Sequence, residues 1–106
     1  MKSYVIIETG YNNGHWDDFR SFEEFRAVCS TKEIAKRECM LARDARIKQM
    51  IQRSGEERTH VKLDSVADNA DPRKGELSCS ALIETNADSD TWSIFYYIRK
   101  EEIIGS

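Results

Sequence analysis

The 106-residue chain reads as one α+β domain spanning residues 1–106. About five short antiparallel strands, in the order β-β-α-β-β-β, are covered by one long helix. Three observations predict this. Segments of period two, rich in β-branched and aromatic residues, occur on both sides of the chain's midpoint. One stretch, 31–53, holds neither glycine nor proline and consists largely of strong helix formers. The connections among the last three strand-like segments are polar, which favours antiparallel hairpins over crossovers.

The first strand is Tyr4 to Thr9, and the polar turn Gly10-Tyr11-Asn12-Asn13-Gly14 follows it. A second strand lies within Phe19 to Cys29, where Phe25, Ala27 and Cys29 alternate with Arg26 and Val28. Ser30-Thr31-Lys32-Glu33 reads as a capping box, with Ser30 as the cap. The helix then runs from Thr31 to about Arg53 and stops at Ser54-Gly55. Thr59 to Val66 alternates and forms the third strand, with Val61, Leu63 and Ser65 on one side. Residues 67–76 form a loop punctuated by Asp71-Pro72 and Lys74-Gly75. Leu77 to Glu84 is the fourth strand, its apolar set being Leu77, Cys79, Ala81 and Ile83. After a polar turn at 86–90, Thr91 to Arg99 closes the sheet. Trp92, Ile94, Tyr96 and Ile98 point one way; Ser93, Phe95 and Tyr97 point the other.

Composition sets the class. At 40% hydrophobic and 33% charged residues, the balance is globular. No stretch reaches the roughly 18–20 apolar residues that span a bilayer. The opening apolar run breaks at Glu8, which is too short for a signal peptide. The cysteines, Cys29, Cys39 and Cys79, are odd in number and widely spaced. They read as reduced thiols, so a cytoplasmic location is expected, with no membrane partner.

The helix carries more apolar surface than one core needs. At 100° per residue, Ile34, Leu41, Ala42 and Ala45 share a stripe, flanked by Ala35 and Cys39, that should face the sheet. Met40, Ile47 and Ile51 form a second stripe on roughly the opposite side. A helix of about 23 residues is about 35 Å long, whereas a six-residue strand covers about 20 Å. The C-terminal half of the helix is therefore expected to overhang the sheet. Either the last strands or the 67–76 loop cover the second stripe, or it is a contact surface for a partner or a second copy of the chain.

No complete catalytic or metal-binding constellation is present, and no cofactor motif is found. His15, Asp17 and Asp18, with Glu23 and Glu24 nearby, have the residue types of a hard-ion or zinc site, but they lack a second histidine at ligand spacing. A turn of this composition is also ordinary between strands. Cys29 with His60 is the only nucleophile pair to suggest itself, against a plain surface histidine. Residues 31–53 carry seven basic and three acidic side chains, while the remainder of the chain is acidic. Lys36, Arg37, Arg43, Arg46 and Lys48 could contact phosphates, or the helix cations could face acidic strands of the same chain. Trp92, Phe95, Tyr96 and Tyr97 suggest a base-stacking face; one pair must be core, and the other exposed or covered by the opening loop.

A strand, a polar loop, a second strand ending in Cys29-Ser30 and the helix start Thr31-Lys32-Glu33-Ile34-Ala35 resemble small domains of bacteriophages and prophages. The resemblance covers about the first 45 residues. This chain departs from it in its longer helix and extra strand. It implies an accessory protein of a phage or mobile element, acting in the host cytoplasm. Many such proteins bind and block a host protein, as inhibitors of CRISPR nucleases do. The resulting expectation is a non-enzymatic protein-interaction module, with contacts through Met40, Ile47, Ile51, Asp17 and Asp18 and a possible homodimer through the helix. A nucleic-acid-binding regulator using the basic helix is the alternative.

Overall fold

The structure, a computed structural model, describes residues 2–12, 20–85 and 90–102. Its elements are β1 (Lys2–Asn12), β2 (Arg20–Cys29), α1 (Lys32–Ser54), β3 (Thr59–Leu63), β4 (Glu76–Thr85) and β5 (Asp90–Glu102). The five strands form one antiparallel sheet in the order β2-β1-β5-β4-β3, and α1 packs on one face of it. The α+β class and the element order therefore hold.

The helix-side core joins Ile6, Cys29, Cys79, Ala81, Ile83, Ile94, Tyr96 and Ile98 of the sheet to Ala35 and Cys39 of α1. The opposite face has a core of its own, made of Ile7, Phe95, Tyr97 and Val66 with Ala70, Leu77 and Leu82 against it. Val66 and Ala70 belong to the β3–β4 connection, which folds back over the sheet through two one-turn 3-10 helices, Ala67–Asn69 and Pro72–Lys74. The Asp71 amide donates to Tyr97 Oη at 2.9 Å, and Lys74 Nζ reaches Glu23 on β2 at 2.9 Å. The expected loop is thus a strap over the second face. Both aromatic pairs are enclosed: Phe95, Tyr96 and Tyr97 are buried and Trp92 is half-buried, so they offer no stacking face.

Two bulges shift side chains from the faces that alternation assigns. On β2, Ile6 pairs with Ala27 but Ile7 pairs with Phe25, so Arg26 is an extra residue. Phe25 and Val28 therefore lie beside Ile7 and Val5, on the face away from α1, and both are exposed. On β4, Leu77 pairs with Tyr97 and Cys79 with Tyr96, which makes Ser78 the extra residue. Leu77 moves to the strap side, while Cys79, Ala81 and Ile83 stay under the helix.

The helix also differs in start and rotation. Thr31, not Ser30, is the cap: its Oγ1 accepts from the Ile34 amide at 3.2 Å. The position three residues after that cap is Ile34, so no capping box forms. The buried stripe is Ala35, Cys39 and Arg43, with Ala42, Ile47 and Met50 partly buried beside it. Leu41 and Ala45 face solvent. The helix is turned by roughly a quarter turn from the expected setting. The reason is that Arg43 and Arg46 lie inward, where a polarity pattern places arginine outward. The expected overhang is also absent: β1 and β5 have 11 and 13 residues, and Ile47 and Met50 pack on the helix-side core.

Candidate functional site

A buried charge centre sits where α1 crosses β1. Glu8 faces the helix and is 0% exposed. Arg46 grips it with both ends of its guanidinium, Nη2 to Oε1 at 2.8 Å and Nε to Oε2 at 3.2 Å. The Tyr96 hydroxyl donates to Oε2 as well, and Arg26 Nε lies 3.7 Å from Oε1. Burial, then the bond to Glu8, raises the Tyr96 pKa far above the usual phenol range. The bond to Glu8 raises that of Arg46. The Arg46 guanidinium lies over the Phe22 ring, 5.0 Å from its centroid. Phe22 in turn occupies the space over Gly10 that a Cβ would need. Three hydrogen bonds and the nearby Arg26 occupy this enclosed carboxylate, which leaves it little reach toward a substrate. We read this centre as structural. Beside it, a shallow depression of about 470 Å³ is lined by Arg26, Arg46, Lys48 and Gln49, among others.

A second site lies at the opposite flank of α1. β3 pairs with β4 only from Thr85 to Ala81. Asp64 then adds one more link: its amide donates to the Ser80 carbonyl at 3.0 Å, and its Oδ1 accepts from the Ser80 amide at 3.0 Å. Its backbone sits at φ 58, in the left-handed region that aspartate tolerates better than most residues. There the chain turns away from β4. Among the described residues no strand lies beside the outer edge of β4 at 76–79. A notch of about 300 Å³ opens at that edge, lined by Lys36, Met40, Arg43, Asp64 and residues 76–79. Met40 is 50% exposed there, whereas Arg43 is only 6% exposed. Lys32 Nζ holds Glu76 at the rim at 2.7 Å.

Of the residues the sequence singles out, the notch gathers Lys36, Met40 and Arg43, and the depression by Glu8 gathers Arg46 and Lys48. Ile47 packs on the core and Ile51 is half-buried, so Met40, Ile47 and Ile51 do not form one exposed face. Arg37 is exposed on the outward side. Arg43 and Arg46 meet Asp64 and Glu8, and Lys32 meets Glu76, so among the described residues three of the seven helix cations face acids of the same chain. Asp17 and Asp18, with His15 and Trp16, lie outside the described residues. Glu23 and Glu24 serve Lys74 and the Arg26–Arg46 pair. Cys29 is on β2 and His60 on β3, the two edges of the sheet, so they form no pair. Burial pushes the Cys39 thiol up to about 11 and that of Cys79 up to about 12, and it raises Cys29 too. These thiols are core groups, not nucleophiles. Among the described residues no cluster of three or more His, Cys, Asp or Glu could hold a metal ion, and no helix is long and apolar enough to cross a membrane.

Sequence reasoning did not find the notch as a site, because it depends on where β3 stops and on the bulge at Ser78. No length signal marks it either: the alternating runs Thr59 to Val66 and Leu77 to Glu84 are equally long in the sequence, and β3 ends at Leu63 only in the fold. The chain matches no protein-family model, no curated protein and no solved structure.

Proposed function

We propose that this protein is a non-enzymatic binding module that captures a partner polypeptide by strand addition at the outer edge of β4. One observation carries the reading: β4 continues past the end of β3, which leaves an unpaired stretch of edge beside a half-exposed methionine. Such an edge is a template for an extended peptide, with main-chain hydrogen bonds supplying affinity and neighbouring pockets supplying specificity. Met40 suits that role because its unbranched thioether adapts to varied partners. The other edge, β2, is less suited because Glu23, Glu24 and Arg26 line it with charge. The phosphate-binding alternative is weakened by the inward setting of Arg43 and Arg46.

The test is affinity purification from host extract, with and without nuclease treatment, with wild type, Met40→Glu and Leu41→Glu run in parallel. Both substitutions fall on exposed positions and leave the fold intact. One partner protein should be recovered with wild type and with Leu41→Glu, and lost with Met40→Glu. Recovery that disappears on nuclease treatment, or that is equal in all three, rejects the reading.

A further inference from the structure

Resting on the strand-addition reading, the chemistry of the notch defines what the captured segment carries. We infer that it presents an acidic side chain toward α1, and that this carboxylate completes the hydrogen bonding of Arg43. Arg43 is 6% exposed, yet none of its charged contacts is short. Nη1 lies 3.4 and 3.5 Å from the two Asp64 oxygens, and Nε lies 3.6 Å from Asp44 Oδ1 with no hydrogen bond of its own. Charge-assisted bonds ordinarily close to about 2.7–2.9 Å. Arg46, three residues further along the same helix, does so with Glu8 at 2.8 Å. A buried guanidinium left at longer range is missing an acceptor.

Among the described residues no acceptor is placed to supply it. Asp64 Oδ1 is held by the Ser80 amide, and the Asp64 backbone is fixed by its own bond to the Ser80 carbonyl. Glu76 is taken by Lys32, and Asp44 is largely solvated. Lys36, on the same wall of the notch, acts on Glu76 only at longer range, while Lys32 holds the short contact to that carboxylate. The groups left with open donors on this wall are therefore cationic, Arg43 through its Nε and Lys36. Strand geometry completes the specification. A peptide residue opposite Cys79 points toward α1, because cross-strand neighbours share a face. The residues on either side of it point toward Leu77 and the strap. The segment recognised is an extended apolar–acidic–apolar triplet.

Three capped peptides test this: Thr-Val-Xaa-Val-Thr, with Glu, Gln or Lys at the centre, titrated into the isotopically labelled full chain. The Glu peptide should shift the amides of Leu77, Ser78 and Cys79 and the Arg43 Nε–H resonance. It should bind roughly tenfold more tightly than the Gln peptide, as one charge-assisted hydrogen bond implies. The Lys peptide should not bind measurably. Lys36→Gln, an exposed change that leaves the fold intact, should narrow the Glu-over-Gln preference several-fold. Equal binding of the Glu and Gln peptides at the β4 edge would overturn the acidic requirement and leave strand addition standing. If none of the peptides moves those three amides, strand addition itself fails, and the inference with it.

Discussion

Glu8→Gln isolates the value of the buried charge centre, because it keeps size and shape while removing one charge. The carboxylate is fully enclosed and accepts two bonds from Arg46 and one from Tyr96. The amide that replaces one oxygen points a donor at donors, and two guanidinium groups lose their counter-charge. Removing one partner of a buried ion pair costs about 3–5 kcal/mol. Arg46 and Arg26 keep side-chain exposures of 20% and 33%, so water offsets part of this loss. We take about 3 kcal/mol as the working figure. With an unfolding entropy of about 2.1 cal/mol/K per residue, that lowers Tm by about 13 °C for a chain of this length. Thermal unfolding followed by circular dichroism, with urea titration as a check, measures it. The companion double variant Glu8→Leu/Arg46→Met should be more stable than Glu8→Gln, because apolar groups can replace a buried pair at little net loss. A Tm within about 3 °C of wild type for Glu8→Gln, or a double variant less stable than the single, would refute the account of this centre.

Other expectations follow from specific contacts. Gly10→Ala places a Cβ 2.2 Å from the Phe22 ring, which can give only by leaving Arg46 and Trp92; a loss of about 1–3 kcal/mol should appear in urea unfolding. Tyr97→Phe removes the acceptor for the Asp71 amide, so about 1 kcal/mol should be lost and that amide should exchange faster with deuterium. In alkali, the unfolded chain releases thiol protons near 9, while folded Cys39 and Cys79 hold theirs to about 11 and about 12. Stability contributed by these two groups is therefore level below pH 9 and falls as pH rises from 9 toward 11, which urea midpoints across that range will show. For the same reason a thiol reagent at pH 8 should modify Cys39 and Cys79 only as fast as the protein unfolds.

Most of the architecture was legible because it rests on period and on punctuation. The alternation of Trp92 to Ile98 placed each side chain of β5 on its correct face, and the unbroken run after Thr31 marked the helix. What was not legible came from single residues that break a period. Arg26 and Ser78 each add one residue to a strand and send Phe25 and Leu77 to the other face. The rotation of α1 was misread because Arg43 and Arg46 count as outward residues until Glu8 and Asp64 are known to lie beneath them. Val66 and Ala70 are too isolated for any pattern to mark the strap as core. The notch is half legible: Lys36, Met40 and Arg43 each stand out in the sequence, but only the early end of β3 shows that they share a place.

The central pair of the sheet, β1 with β5, joins residues 2–12 to residues 92–102. Partners as distant in sequence as Lys2 and Glu102 meet here, so their pairing closes a long loop. During synthesis, one edge of β1 stays bare until β5 leaves the ribosome. β2 can shield one edge early as a hairpin, but the other stays open through translation of the helix and two further strands. Folding should accordingly be slow for a domain of this size, and a ribosome stalled before residue 90 would leave an aggregation-prone nascent chain in need of a chaperone.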